Sequence, residues 1–327
     1  MGSNTLDVFV ETEAELVKVT IHDDGGKSKK EPCLVYPLGA KLLITDLHFE
    51  IGGGGTNTAV SFARLGLRTG YIGKIGHDNS GIQVFNLLHK EKVKFLGAFG
   101  EKTGYSVILD SEADDRTILT YKGSNDDLEF SEISRKNVKT KWFYFSSMAG
   151  TSFQTLNEMS RFALKNDINV AFNPSLYVVS NGLNYLKTVF ESVNVLILNK
   201  EEAEIIAKKS HIDELLVFLK KYIKDYVVIT DGKNGCWCYN GKKVIHAVPR
   251  KNIRVVETTG AGDAFASAFV TGLIRKKNLK TCVRMGMIQA ESVVQYRGAK
   301  NILLSKAQMN SLLKKDKRLM VERDIKR

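Results

Sequence analysis

The chain has 327 residues, of which 43% are hydrophobic and 26% charged, a balance that is ordinary for a globular protein. Its length suits one large α/β domain or two small ones. No apolar run reaches membrane-spanning length and no signal-peptide pattern opens the sequence, so we expect a soluble, cytoplasmic protein without a membrane partner. The net charge of +12 comes from scattered basic residues without interleaved aromatic ones, which argues against a nucleic-acid groove.

The four cysteines do not form a metal-binding pattern. Cys236 and Cys238 flank a tryptophan at strand spacing, and only His246 follows within short sequence reach, which is too few ligands for a metal set. We interpret these two residues, together with Cys33 and Cys282, as reduced packing residues.

The N-terminal part of the chain predicts strands with no helix between them. Residues 9–21 and 34–51 read as two strands joined by a polar loop at 22–31, so we expect an antiparallel ribbon. Residues 103–109 and 116–121 predict a second hairpin around an acidic turn.

Four consecutive glycines, Gly52 to Gly55, follow the ribbon and precede a predicted helix at 58–65. Glycines let the backbone approach a substrate closely, and Asn57 offers both a donor and an acceptor to a hydroxyl group. A flexible turn would explain the glycines alone, but it would not explain an asparagine at the start of the helix.

From residue 141 onward, strand and helix patterns alternate. The predicted strands are 142–147, 170–174, 193–199 and 226–230, and the predicted helices between them include 153–166 and 200–208. Such alternation is typical of a parallel, three-layer α/β sheet whose ligand sites lie at the carboxyl ends of the strands.

The stretch from residue 256 to 265 combines features that suit phosphoryl transfer. A predicted strand at 253–256 leads through two threonines to Gly260-Ala261-Gly262-Asp263 and a helix of small residues at 264–274. Amides at a helix N-terminus attract anions, and we expect the helix dipole to keep the pKa of Asp263 low. Asp263 can then accept the proton of an acceptor hydroxyl beside the moving phosphate. The alternative is a capped helix with a dipole-compensating aspartate.

This stretch resembles the C-terminal signature of the ribokinase (PfkB) family of sugar and nucleoside kinases, with Glu257 where that family usually has aspartate. The glycine block through Gly66 resembles the family's N-terminal signature, with Gly54 where ribokinases usually have lysine. The residues around Ser147 also lack the ribose-binding glutamate of ribokinases. These departures argue against ribose as the substrate.

The resemblance implies a ribokinase-like three-layer α/β/α sandwich over residues 1–310. Residues 8–51 and 100–122 would form a small β-sheet lid inserted in it. We expect residues 311–327 to be a basic surface tail. An open lid edge often pairs with another copy in this family, so a homodimer through the lid is a further expectation.

The resemblance also implies the roles of individual residues. Asp263 would be the catalytic base, and the amides of Gly260, Ala261 and Gly262 would stabilise the transferring phosphoryl group. The acceptor would be held by Asp7, Gly53, Gly54 and Asn57. Asp7 matches the substrate aspartate that follows the family's first strand, although the apolar run before it is missing here. Either the start is truncated or the sheet forms without that run, and an ordinary aspartate near a terminus remains the alternative.

The expected cofactors are ATP, Mg²⁺ and K⁺. Asn199 and Glu202 resemble the family's Asn-x-x-Glu motif, which would hold Mg²⁺ through water, although acidic residues also open many helices. Thr230, Gly232 and Gly235 resemble the nucleotide loop, for which a simple turn is the alternative. Carbonyl groups of Glu257, Thr259 and Gly298 would bind the monovalent cation.

The sequence therefore predicts an ATP-dependent kinase that phosphorylates a hydroxymethyl group of a sugar or related polyol. A nucleoside kinase of the same family is the alternative enzyme. A non-catalytic sugar-binding paralogue would have the same fold, but the intact Gly-Ala-Gly-Asp sequence argues against it. A dehydrogenase is disfavoured because no Gly-x-Gly-x-x-Gly follows a first strand.

Overall fold

The computed structural model describes residues 1–12, 16–22, 28–110 and 116–325. In these ranges the strands are β1 (Thr5–Thr12), β2 (Leu16–His22), β3 (Ser28–Leu34), β4 (Ile44–Gly52), β5 (Gly70–Tyr71), β6 (Lys74–Gly76), β7 (Lys94–Phe95), β8 (Ala98–Gly100), β9 (Gly104–Asp110), β10 (Arg116–Tyr121), β11 (Trp142–Phe145), β12 (Asn169–Phe172), β13 (Val193–Asn199), β14 (Tyr226–Thr230), β15 (Cys236–Tyr239), β16 (Lys243–Ala247) and β17 (Met320–Asp324). The helices are α1 (Gly54–Arg64), α2 (Asn79–Lys90), α3 (Gly150–Lys165), α4 (Leu176–Val179), α5 (Leu183–Ser192), α6 (Lys200–Ala207), α7 (Ile212–Lys220), α8 (Ala261–Ile274), α9 (Leu279–Val293) and α10 (Lys306–Lys315).

A seven-stranded sheet in the order β11-β12-β13-β14-β15-β16-β17 forms the centre of the protein. The strands from β11 to β14 pair in parallel, and those from β14 to β17 pair antiparallel. Apolar residues alternate between the faces of β13. Leu196 and Leu198 pack with α3, α5, α6 and α7, whereas Val195 and Ile197 pack with α1, α8 and α9. Helices therefore cover both faces, and the predicted three-layer sandwich is confirmed.

A second sheet, in the order β10-β9-β1-β4, contains much of the two segments expected to form a lid. Strand β1 pairs antiparallel with β4 and parallel with β9, so Asp7 lies between Glu50 and Ser106 in register. The ribbon predicted from residues 9–21 and 34–51 is antiparallel, as expected. It is divided, however, because β2 and β3 form a separate two-stranded sheet and β3 begins inside the predicted loop. The rest of that loop and most of the acidic turn at 110–115 lie outside the described residues.

Two local predictions are wrong. Residues 253–256 do not form a strand, because Val255 and Val256 are exposed and the amide of Val256 donates to the carbonyl of Val294 instead. The chain beyond residue 315 is not a surface tail, because β17 pairs with β16 at the edge of the central sheet. Arg318 is buried there in ion pairs with Glu291 and Asp316.

The cysteine interpretation agrees with the structure. Cys236, Cys238 and Cys282 are buried together in the core between the central sheet and α8 and α9, without a disulfide. Burial raises the pKa of Cys236 and Cys282 to about 12, which keeps both thiols protonated. Within the described part of the chain, no group of three His, Cys, Asp or Glu residues is placed to hold a metal, and no helix is long and apolar enough to cross a membrane.

Candidate active site

The turn before α8 presents unpaired backbone amides. Gly260 has a φ of 74°, and a Cβ on it would lie 2.9 Å from the Cα of Ala299, so only glycine fits there. Helix α8 begins at Ala261, earlier than predicted, and the amide of Ala261 donates to Thr258 O at 3.2 Å. The amides of Gly260 and Gly262 have no acceptor among the described residues. These two amides are the donors available to an anion.

Asp263 lies in the first turn of α8 and is held by Asn57. The Nδ2 of Asn57 donates to Oδ2 of Asp263 at 2.9 Å, joining the start of α1 to the start of α8. Burial raises the pKa of Asp263 above its ordinary value, although the Asn57 hydrogen bond and the charge of Lys300 oppose that shift. The expectation of a low pKa is therefore wrong, because loss of solvation outweighs these favourable interactions.

Two members of the glycine block are required by the N-terminal chain rather than by a ligand. A Cβ on Gly53 would lie 2.6 Å from the carbonyl oxygen of Ser3, and one on Gly55 would lie 2.5 Å from the carbonyl carbon of Gly2. Gly53 also has a φ of 90°, and the amide of Gly55 donates to Ser3 O at 3.0 Å. Close passage of residues 2–4 explains both glycines.

Gly54 is the member of the block that faces the catalytic candidate. A Cβ on Gly54 would lie 3.3 Å from Oδ1 of Asp263 and would overlap Oγ of Ser146, which is buried at the end of β11. A side chain at this position would therefore enter the space beside the carboxylate. The lysine that ribokinases usually carry here would require the side chain of Ser146 to move.

Asp7 forms the other side of the pocket. Its carboxylate accepts hydrogen bonds from the side chains of Thr5 and Ser106, and burial raises its pKa above the ordinary value. A Cβ on Gly52 would overlap this carboxylate, so the first glycine of the block is required by Asp7. The charges of Asp7 and of Asp263 both act on the ammonium group of Lys300.

Lys300 is the site residue that the sequence reasoning missed. It is only 6% exposed, and its Nζ donates to Oδ1 of Asn57 and to the carbonyl oxygen of Ile51. Burial lowers its pKa to about 8, although Asp7 and Asp263 act in the opposite direction. In the sequence it is one of many lysines and lies outside the predicted strands and helices, so no local signal marks it.

Asn199 and Glu202 cap α6 next to the pocket. Asn199 Oδ1 accepts from the amide of Glu202 at 2.7 Å, and Glu202 Oε2 accepts from the amide of Asn199 at 2.9 Å. Burial raises the pKa of Glu202 to about 7, with the charges of Glu201 and Asp263 acting in the same direction. Glu202 forms no ion pair with any residue that the structure describes. A desolvated carboxylate without a cation fits Mg²⁺ bound through its water shell.

The expected nucleotide loop is a turn at the end of β14. Thr230 lies beside Asn199 in the parallel register of β13 and β14, and its hydroxyl donates to Leu198 O at 3.3 Å. Gly232 and Gly235 have φ values of 45° and 87°, as the turn into β15 requires. Gly232 has open space around it, because no described atom lies within 4 Å of a Cβ built there.

The residues expected around a monovalent cation come together in part. Glu257 Oε2 accepts a hydrogen bond from the amide of Gly298 at 2.9 Å, and Thr259 lies in the turn just before Gly260. Gly298 has a φ of 90°, and a Cβ on it would overlap the carboxylate of Glu50. Two carboxylates therefore converge on Gly298, a negative environment that suits a cation.

The sequence matches known kinases over most of its length. The profile of the pfkB family carbohydrate kinases matches residues 35–306. An uncharacterized sugar kinase of Archaeoglobus fulgidus is 27% identical over 245 residues, which cover 74% of this chain and 97% of that protein. A 5-dehydro-2-deoxygluconokinase of Halalkalibacterium halodurans is 26% identical over 289 residues, which cover 83% of this chain and 87% of that protein.

Solved structures share the fold. The ribokinase of Thermotoga maritima superposes with a TM-score of 0.77 at 20% sequence identity, covering 96% of this chain and 97% of that one. The nucleoside kinase of Methanocaldococcus jannaschii gives a TM-score of 0.77 at 22% identity, with the same coverage of both chains. The predicted ribokinase-like architecture is thereby confirmed.

The family profile places the chain among enzymes that phosphorylate small molecules, and the shared fold agrees with this class. The chain belongs to the pfkB family of carbohydrate kinases and is an ATP-dependent sugar kinase. The family resemblance, the fold class and the type of enzyme predicted from the sequence are therefore confirmed.

Proposed function

We propose that the enzyme transfers the γ-phosphoryl group of ATP to a hydroxymethyl group of a sugar or related polyol. The arrangement of Asp263 carries this proposal. Its carboxylate is fixed by Asn57 at 2.9 Å and lies in the same helical turn as the unpaired amides of Gly260 and Gly262. A base for the acceptor and donors for the phosphoryl group are thus within one turn of α8.

Asp263 takes the proton of the acceptor hydroxyl while the acceptor oxygen forms a bond to the γ-phosphorus. The bond from that phosphorus to the bridging oxygen breaks, and ADP leaves. The raised pKa of Asp263 makes it a stronger base than a fully solvated aspartate. The amides of Gly260, Ala261 and Gly262 stabilise the charge on the moving group, with Ala261 contributing if its weak bond to Thr258 opens.

The acceptor lies between the lid and the start of α1. Asp7 and Asn57 hold its hydroxyl groups, and the backbone of Gly53 and Gly54 forms the wall of the pocket. Asp7 belongs to β1 of the lid, so closing the lid brings the acceptor towards Asp263 and excludes water.

The cofactor sites extend from this pocket along the ends of β13 and β14. Glu202 and Asn199 would hold Mg²⁺ through water, and the ion would supply positive charge that neutralises the phosphates. Thr230, Gly232 and Gly235 would contact the nucleotide. Carbonyl groups of Glu257, Thr259 and Gly298 would hold K⁺.

A nucleoside kinase is the second candidate. Gly54 leaves the pocket without the lysine of ribokinases, and the residues after β11 supply Ser146 and Ser147 rather than a glutamate. Ser147 is already paired with Ser175 through their hydroxyl oxygens at 2.5 Å. Thermal-shift measurements with D-ribose, D-fructose, adenosine and inosine separate the candidates. Stabilisation by nucleosides alone would reject the sugar assignment.

The lid also suits a homodimer. Strand β4 is an edge of its sheet, and its apolar side chains Ile44, Leu47 and Phe49 are each about half exposed. An unpaired edge with exposed apolar residues favours pairing with a second copy. Sedimentation velocity measures the oligomeric state, and a strictly monomeric species at all concentrations would reject this arrangement. Cell fractionation tests the expected cytoplasmic location.

The test of the catalytic assignment is Asp263→Asn. The asparagine side-chain oxygen can accept the same hydrogen bond from Asn57, so the variant should fold normally. We expect kcat in a coupled ADP-release assay to fall by roughly 10²–10⁴-fold, the range that loss of a general base costs. Asp167→Asn is the matched control, because Asp167 is exposed and its φ of 53° is one that asparagine accepts. Near-normal turnover by Asp263→Asn would reject the assignment.

A further inference from the structure

Lys300 has an N–H donor that no described residue uses. An ammonium group has three N–H donors, and two of them are taken by Asn57 Oδ1 and Ile51 O. The third has no acceptor among residues 1–12, 16–22, 28–110 and 116–325. A buried charge with an unfilled donor is costly unless a further partner completes its hydrogen bonds. The hydrogen bonding of Nζ is thus complete only when another oxygen atom reaches it.

The position of this donor is fixed from both sides. The segment 298–300 packs on Gly260, and Nη1 of Arg64, at the end of α1, donates to the carbonyl oxygen of Lys300 at 2.7 Å. The Lys300 side chain then meets Asn57, near the start of the same helix. Side chains of α1 therefore contact both the backbone and the ammonium group of Lys300.

The side chain of Asn57 joins this ammonium to the catalytic candidate. Its oxygen accepts from Lys300 and its nitrogen donates to Asp263, so a single amide group separates Nζ from the carboxylate. A group bound at Nζ therefore lies next to a hydroxyl that is activated by Asp263. In an acceptor, the group at Nζ would be a second oxygen atom. Its carbon lies close to the carbon that carries the hydroxyl being phosphorylated.

We propose that Lys300 is a specificity-determining residue, whose ammonium donates a hydrogen bond to a hydroxyl group of the acceptor close to its phosphorylated hydroxymethyl group. The proposal rests on the proposed function and names the contact that selects the acceptor. Lys300 supplies a positive charge to the pocket, where Gly54 takes the place of the lysine of ribokinases.

The charges around Lys300 indicate that the acceptor atom bound by Nζ belongs to an uncharged group. The charges of Asp7, Asp263 and Glu50 act on Lys300 in one direction and the charge of Arg64 acts in the other, so carboxylates outnumber cations near the ammonium group. An anionic group brought to Nζ would be repelled by these carboxylates, whereas a hydroxyl can accept from Nζ and donate to Asp7. The acceptor class is therefore a polyhydroxy compound that is neutral at this end.

The test compares Lys300→Met with the wild-type enzyme. D-Ribose, D-fructose and adenosine serve as acceptors, and the monodeoxy analogues of the one with the lowest KM are then assayed. We expect Lys300→Met to raise the acceptor KM about 10- to 100-fold, the range for a lost hydrogen bond to a charged group, while the KM for ATP stays unchanged. It should also lose the discrimination against the deoxy analogue that lacks the contacted hydroxyl.

Lys306→Met is the matched control, because Lys306 is exposed at the start of α10 and should keep the wild-type acceptor KM. Lys300→Gln, which retains a donor, keeps the test usable if the methionine variant does not fold. An unchanged acceptor KM with intact discrimination would overturn the proposal. So would an equal loss of kcat for all acceptors at unchanged KM, which would show that Lys300 acts through Asp263.

Calorimetric binding of the same acceptors separates this proposal from the proposed function. If the wild-type protein binds an acceptor without turnover and Lys300→Met weakens that binding, the kinase assignment fails and the Lys300 contact stands. If Lys300→Met leaves binding unchanged in an active enzyme, only the contact fails. A wild-type protein that neither binds nor phosphorylates any of the three would reject both.

Discussion

Replacing Gly262 with alanine should change the stability of α8 and the catalytic activity of its first turn in opposite directions. Gly262 is the second residue of the helix, and its φ lies outside the positive region. No described atom lies within 4 Å of a Cβ built there. Alanine therefore fits the ligand-free protein. Since glycine in a helix costs roughly 0.5–1 kcal/mol relative to alanine, Gly262→Ala should raise the free energy of unfolding by about 0.5 kcal/mol.

The same substitution should damage catalysis. The open space beside Gly262 is where the proposed phosphoryl group lies, within hydrogen-bond distance of the Gly260 and Gly262 amides. A methyl group there holds the phosphoryl group away from these donors. Loss of one such donor costs about 10²–10³-fold in kcat, so we expect a fall of roughly 10²-fold or more.

A second glycine of α8 provides a control with the opposite expected result, a loss of stability without a loss of activity. A Cβ on Gly272 would lie 2.8 Å from Sγ of Cys282, in the packed interface with α9. Gly272→Ala should therefore lower the free energy of unfolding by about 1–3 kcal/mol through overpacking, while kcat changes by less than about twofold. Urea denaturation and the ADP-release assay measure both quantities. If Gly262→Ala proves less stable than the wild type, or equally active, the proposed role of the α8 turn is incorrect.

Two further outcomes follow from Glu202 and from Arg318. The pKa of Glu202 is about 7, and only its ionised form attracts a cation, so the Mg²⁺ concentration for half-maximal rate should fall as the pH rises through 7. Glu202→Gln should lose the part of this dependence that exceeds the titration of ATP itself, and metal titrations at several pH values check this. Arg318→Met should lower the free energy of unfolding by about 3–5 kcal/mol, because it leaves the buried carboxylate of Asp316 without a cation. Arg323→Met, which breaks an exposed pair with Asp213, should cost less than about 1 kcal/mol, and urea denaturation compares the two variants.

The parts of the fold that depend on local pattern could be predicted from the sequence. Strands β13 and β14 have the predicted bounds, because a short, continuous apolar run ends at a polar residue that opens a helix or a turn. The strand predicted at 253–256 failed because the edge of β16 is occupied by β17, which lies about seventy residues further along the chain. Pairing over such a distance leaves no local signal, so an apolar segment without a partner strand becomes an exposed loop.

The candidate site divides in the same way. Asp263 and Asn57 stand in motifs whose residue types already indicate their chemistry, and the structure joins them by a hydrogen bond. The pKa of Asp263 could not be predicted, since its direction depends on burial by segments remote in sequence. Lys300 could not be recognised either, because a loop lysine is usually solvated and only its packing against the glycine block reveals the contact.

The N-terminal segment 2–4 and the loop segment 298–300 meet at this pocket, and this explains why its residue set departs from a simple motif. Residues 2–4 pass over Gly53 and Gly55, which fixes the start of α1 and with it Asn57. The segment 298–300 packs on Gly260 from the other side and brings Lys300 to the same asparagine. The position of Asn57 therefore depends on both segments. Its hydrogen bond to Asp263 in turn positions that carboxylate. A positive charge contributed by the segment 298–300 can stand in for a lysine at position 54, because Gly54 lies beside the carboxylate of Asp263 and the charge of Lys300 acts on the same group.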